Sequence, residues 1–106
     1  MIPLVTIAKL HARPGREADA RAALHEVQIA SHDEPGCRPY ALHIDESDPG
    51  AFVMVEGWDS DAAMDAHLAA PHLQDLIAKS EALFDGPVEV QRLMALPIGD
   101  PVKGQL

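Results

Sequence analysis

The chain predicts an α+β domain with the element order strand, helix, strand, strand, helix, strand, and three observations carry that prediction. The first is an apolar, β-branched run from Leu4 to Ala12 that Arg13-Pro14-Gly15 stops. The second is a pair of helical stripes, one over Glu17 to Ser31 and one beginning after Asp59-Ser60-Asp61. The third is two period-two segments joined by the turn-forming residues Ser47-Asp48-Pro49-Gly50. A length of 106 residues suits one domain and one core.

Taken in order, strand one places Val5 and Ile7 on one side and Leu4, Thr6, Ala8 and Leu10 on the other, as expected for a strand buried on both faces. The helix from Glu17 to Ser31 aligns Ala20, Ala23, Leu24, Val27 and Ala30 and turns Asp19, Arg21, Glu26 and Gln28 outward, so it lies on a sheet. Glu34-Pro35-Gly36-Cys37 ends that helix and turns the chain, because Pro35 disfavours helical backbone before it and Gly36 tolerates positive φ. Strand two then puts Tyr40, Leu42 and Ile44 on one face and Ala41, His43 and Asp45 on the other. The turn at Ser47 to Gly50 leads into strand three, Ala51 to Trp58, which places Phe52, Met54, Glu56 and Trp58 together.

Asp59-Ser60-Asp61 offers cap side chains for a helix to about Ala70, with Ala63, Met64, His67 and Leu68 on one stripe. Pro71 breaks it, and a second segment resumes with Leu73, Leu76, Ile77, Leu83 and Phe84 at helical spacing. Asp85-Gly86-Pro87 precedes a last strand, Val88 to Pro97. Residues 1–98 form the domain and residues 99–106 a tail that stays loose or crosses to a partner. This is the ferredoxin-like βαββαβ order, which leaves one apolar sheet face uncovered and therefore predicts a homodimer.

Composition narrows the function classes. A formal net charge of −9 with eight Lys and Arg spread along the chain excludes nucleic acid and anionic membrane as partners, which need clustered cations. No apolar run approaches the roughly 20 residues of a membrane helix, and Met1 to Leu10 is no signal peptide. The lone Cys37 forms no internal disulfide and lacks an electropositive setting, so an inert thiol and a cytoplasmic location are expected.

Several residue groups together resemble one family: Arg13-Pro14-Gly15 before helix one, Glu34-Pro35-Gly36-Cys37 leading to Tyr40, Asp48-Pro49 with Phe52, Glu56 and Trp58, and His67 followed by Pro71-His72. Across about Val5 to Leu96 the chain resembles the antibiotic biosynthesis monooxygenase domain, each piece being weak alone and the ordered set specific. The resemblance implies a dimeric α+β barrel with a small-molecule pocket between sheet and helices in each subunit. It also implies one of several chemistries: oxidation of quinols or polycyclic phenols by dioxygen without a cofactor, haem degradation, or isomerisation of a phosphorylated quorum-sensing signal. In the haem-degrading branch the resemblance implies an axial histidine and an asparagine at positions where this chain carries Ile77 and Ala8, which argues against haem.

His67 is the first candidate for catalysis, since spacing from Met64 and to Leu68 points its imidazole inward, where it serves as a base or as a core histidine bonded to backbone. The candidate substrate-binding residues are Trp58, His72, Glu56, His43 and Arg92. Trp58 offers an indole N–H, Glu56 requires a buried partner for which Arg92 is suggested, and Tyr40 is expected to pack. His67 and His72 stand five apart across a proline with no third ligand evident, so no metal is expected. The leading function is a cofactor-independent monooxygenase using dioxygen and a small phenolic substrate. The alternatives are a small phosphorylated-metabolite isomerase, for which only Lys9, Lys79 and Arg92 supply charge, and a non-catalytic ligand-binding dimer.

Overall fold

The computed structural model describes residues 1–106. Its elements are β1 (Leu4–His11), α1 (Glu17–Ser31), β2 (Cys37–Asp45), β3 (Asp48–Trp58), α2 (Asp61–Ala69), α3 (Pro71–Leu83) and β4 (Glu89–Leu93). The four strands form one antiparallel sheet in the order β2-β3-β1-β4. This is the predicted βαββαβ arrangement, with the second helical region split in two as Pro71 dictates. Ala70 is extended (ψ 146°) because the following proline ring excludes helical backbone there, and Pro71 opens α3 at the position where its missing N–H costs nothing. Ser60 caps α2, its Oγ accepting from the Ala63 N–H at 3.1 Å.

Period two sorts the sheet residues onto two faces. Leu4, Ala8 and Leu10 of β1, Tyr40 of β2 and Phe52, Met54 and Trp58 of β3 share one core with Ala20, Leu24 and Val27 of α1, Met64 of α2 and Leu73 and Leu83 of α3. All three helices therefore cover the same face. On the other face, Ile7, Val53, Val55 and Ala41 remain partly exposed and Leu93 is exposed. No element of the chain covers this apolar strip, so β1 is buried on its helix side while Ile7 and Lys9 reach solvent.

Two boundaries depart from the sequence expectation. Strand three begins at Asp48, and the turn is Glu46-Ser47, because the Asp45 carboxylate accepts from both the Ser47 N–H (2.8 Å) and the Ser47 hydroxyl (2.7 Å) and so closes the turn earlier. Pro49 and Gly50 fall where the β2–β3 register slips between Ile44 and Asp45, a place that tolerates a residue unable to donate. The last strand covers Glu89–Leu93 alone, since pairing ends at Val5↔Leu93 as Pro3 approaches and β1 has no further partner to offer. From Met94 to Leu106 the chain lies on the surface, with Met94, Leu96, Ile98 and Val102 at least four-fifths exposed.

One glycine shapes the site. A Cβ at Gly36 would sit 2.3 Å from the Ala63 Cβ, so only glycine lets the turn between α1 and β2 lie directly on α2. That contact carries Glu34 over the end of α2 where His67 stands.

Candidate active site

Between the helix-covered sheet face and α2–α3 lies a cavity of about 240 Å³. Its wall is hydrophobic apart from Glu56, His67, Ser80 and the Tyr40 hydroxyl, with Leu24, Met54, Met64, Leu73 and Phe84 among the apolar lining. Leu68, Ile77, Val88 and Val90, all exposed, form the rim. No lysine or arginine lines it.

The polar groups at the floor are tied to one another. His67 is 2% exposed, and its ring lies 4.6 Å from Trp58 and 5.2 Å from Tyr40 between centroids. Its Nδ1–H donates to Glu34 Oε2 at 2.7 Å, which leaves Nε2 facing the Tyr40 hydroxyl at 3.5 Å, long for a hydrogen bond. Burial lowers the His67 pKa below the usual histidine value, against the pull of Glu34, and so favours the neutral imidazole. Burial raises the Tyr40 phenol far above its ordinary range, so it stays protonated as a donor.

Glu56, 4% exposed, accepts on Oε1 from the Thr6 hydroxyl at 3.0 Å and from the Trp58 indole N–H at 3.2 Å. Those bonds only partly offset the loss of water, and burial pushes the carboxyl up to about 7. The protonated acid is thus accessible near neutral pH, and Glu56 can act as either donor or acceptor.

Of the residues expected to form the site, His67 and Glu56 reach the cavity and the others do not. Trp58 is fully buried behind the wall and spends its N–H on Glu56 and on Thr6 Oγ1 at 3.3 Å, so it orients the carboxyl and has no donor left for a ligand. His43 faces the uncovered side of the sheet, exposed, with Nδ1 beside its neighbouring Ala41 carbonyl at 3.0 Å. Arg92 is not the partner of Glu56; it extends to solvent and pairs with Asp61 at 2.9 Å. His72 stands outside the cavity on the far side of His67, ring centroids 6.0 Å apart, with Nε2 3.4 Å from Glu34 Oε2. The expectation that no third ligand accompanies the two histidines fails here, because Glu34 reaches both.

Sequence reasoning missed Glu34, Thr6 and the exposure of the Tyr40 hydroxyl to the cavity. Tyr40 and Thr6 were legible in principle, since the same alternation that aims Glu56 inward aims them inward across the sheet: Tyr40↔Glu56 and Thr6↔Glu56 are register partners. Glu34 had no such signal, as its position depends on Gly36 meeting Ala63. Cys37 matches its expectation, burial raising its thiol to about 11 while Arg38 is engaged with Asp59.

A four-stranded sheet whose helix-covered face closes over an apolar cleft, floored by a carboxyl, an imidazole and a phenol, defines a small α+β domain built around a small-molecule-sized site. The model of the antibiotic biosynthesis monooxygenase family matches residues 3–79, and the chain belongs to that family. It is 32% identical over 97 residues to an Escherichia coli protein named "Probable quinol monooxygenase YgiN", with 82% of this chain and 90% of that protein covered. Among solved structures it resembles PA3566 from Pseudomonas aeruginosa, at 33% identity and a TM-score of 0.85 over 91% of this chain and 96% of that one. Rv0793 from Mycobacterium tuberculosis is also similar, at 30% identity and a TM-score of 0.83 over 93% and 98% of the two chains. None of the helices is long and apolar enough to cross a membrane.

Proposed function

We propose that the protein is a cofactor-independent monooxygenase that oxidises a quinol or phenol of one or two fused rings with dioxygen, with His67 as the base. The observation that carries this is an apolar cleft whose floor holds a buried neutral imidazole, oriented by Glu34, beside two protonatable donors, Tyr40 and Glu56. The volume supports the substrate size. A dry cavity of about 150 Å³ takes benzene, so about 240 Å³ suits one ring or two.

In such a reaction His67 Nε2 removes a proton from the substrate, giving an electron-rich phenolate or enolate. That anion passes one electron to dioxygen, and the radical pair combines to form a carbon–oxygen bond. The peroxide takes up the proton from His67. Loss of the remaining hydrogen on that carbon then cleaves the O–O bond, leaving a carbonyl and releasing water. A CH₂ and dioxygen thus become C=O and H₂O, with all four electrons supplied by the substrate. Tyr40 and Glu56 stabilise the developing oxyanion by donating hydrogen bonds in a water-poor site.

The same cleft gives a phosphorylated metabolite no cationic partner, which favours the oxygenase over an isomerase. The strip of Ile7, Val53, Val55 and Ala41 supports a homodimer formed sheet to sheet, and the unpaired Cys37 supports a cytoplasmic site of action.

Oxygen uptake by the purified chain, measured against a panel of quinols and anthrones, tests the oxygenase reading. Uptake with a phenolic substrate that is lost in His67→Ala is the expected result. Uptake that persists in His67→Ala removes His67 as the base, and no uptake with any member removes the oxygenase.

A further inference from the structure

On the far side of His67, His72 joins the Glu34 carboxylate that orients the imidazole, and the oxygenase chemistry gives His72 no role. We propose that Glu34, His67 and His72 form a binding site for a first-row divalent transition cation of the zinc type, held by Glu34 Oε2, His67 Nδ1 and His72 Nε2.

Three separate segments supply these atoms: the turn after α1, the end of α2 and the first turn of α3. They lie within 4.8 Å of one another. Metal bonds of about 2.0–2.2 Å place neighbouring ligand atoms roughly 3 to 3.5 Å apart. Glu34 Oε2 already stands 2.7 Å from His67 Nδ1 and 3.4 Å from His72 Nε2, so a small swing of the His72 ring completes the set.

His72 Nε2 provides the independent sign. It is enclosed, yet it has no hydrogen-bond partner, although it lies close to a carboxylate oxygen. An enclosed polar atom without a partner is uncommon and calls for a missing ligand. If Glu34 merely bridged two imidazoles, His72 would donate to it in good geometry, as His67 does.

The donor set selects the ion. Two imidazole nitrogens and one carboxylate oxygen suit zinc, cobalt, nickel or ferrous iron, and leave open positions for water, whereas calcium and magnesium require oxygen cages. Access is from outside: Glu34 and His72 side chains are 16% and 24% exposed. A groove of about 70 Å³ leads to His72 and carries Glu26 and Asp75 against one Lys79, a balance that attracts cations. His67 is the rigid anchor, wedged against Trp58 and Tyr40.

Occupancy has a chemical consequence. A cation on Nδ1 displaces the proton that Nδ1 shares with Glu34, and the neutral ring then carries its hydrogen on Nε2. Imidazole in that form donates toward the cavity and cannot accept a proton from it. Metal binding and base catalysis by His67 are therefore mutually exclusive, and the site stands whether or not the oxygenase reading does.

Titration of Zn²⁺ into the EDTA-treated full chain, followed by calorimetry, tests the proposal. One cation per chain is expected, with affinity reduced at least about tenfold in His72→Ala and in Glu34→Gln and unchanged in His43→Ala. In the unsubstituted chain, Co²⁺ should perturb the proton resonances of the His67 and His72 rings far more strongly than those of His11, His25, His32 and His43, a readout independent of any variant's folding. Absence of stoichiometric binding, full affinity in His72→Ala, or paramagnetic effects centred on other histidines would overturn it.

Discussion

The floor and the rim of the cleft are built on opposite terms. At the floor, Glu56, Trp58, Thr6, Tyr40 and His67 are all buried; Glu56 Oε1, the Trp58 N–H, the Thr6 hydroxyl and His67 Nδ1 are each engaged by a neighbour, while the Tyr40 hydroxyl and His67 Nε2 face each other at 3.5 Å. At the rim, Leu68, Ile77, Val88 and Val90 are exposed, and the strand that carries Val90 is five residues long with no buried side chain. The difference teaches that the titratable groups sit where β2, β3 and α2 pack together and are buried, and that apolar selection of a ligand is left to a short edge strand and a helix face. The rim can vary without disturbing the chemistry, and the floor cannot.

The largest effect that sharpens this contrast is His67→Ala, for which kcat/KM for a phenolic substrate should fall roughly 10²- to 10⁴-fold while KM changes little. A loss confined to KM would make the floor a binding surface like the rim. Next is the pH dependence of stability. The Glu56 carboxyl is raised in the folded chain to about 7, above its unfolded value, so its contribution is fully present below about pH 4.5 and is lost as pH rises through about 7. Glu56→Gln should therefore gain stability relative to the unsubstituted chain between pH 4.5 and 8, on the order of 3 kcal/mol at the upper end. Thermal unfolding of both proteins across that range measures it, and parallel curves would show that Glu56 is solvated.

A smaller effect is expected at the rim. Ile77→Ala, at a side chain 53% exposed, should raise KM by roughly threefold to tenfold, about 1 kcal/mol of lost apolar contact, with stability unchanged within about 0.5 kcal/mol. A fall in kcat or in unfolding temperature would show that the rim is as constrained as the floor. The smallest is Arg92→Ala, whose ion pair with Asp61 is solvent-exposed and distant from the cavity wall. It should shift stability by under about 0.5 kcal/mol and leave KM within twofold.

The same contrast explains what could be read from the chain. Alternation along β3 fixed the inward set Phe52, Met54, Glu56 and Trp58, and the α1 stripe and the break at Pro71 followed from local chemistry that tertiary structure did not override. The inward aim of His67 was also legible, from its spacing to Met64. What alternation cannot resolve is depth: it puts Trp58 and Glu56 on one face but does not say that the indole is sealed behind the carboxyl. Nor does it give pairings between distant segments. Arg92 and Glu56 share a sheet face two strands apart, yet Asp61 at the start of α2 captures the guanidinium. Glu34 read as part of a helix stop because its role arises only when the turn settles on α2.

Gly36 carries that settling. The hydrogen in place of a side chain there decides how near the Glu34 carboxylate comes to His67, and hence which ring nitrogen is protonated. A methyl group added at this position, touching nothing in the cavity, would shift the tautomer ratio of an imidazole on another segment. Packing between two pieces of backbone thereby acts as a setting on proton location, and substitutions that alter activity need not be sought only among residues a ligand can reach.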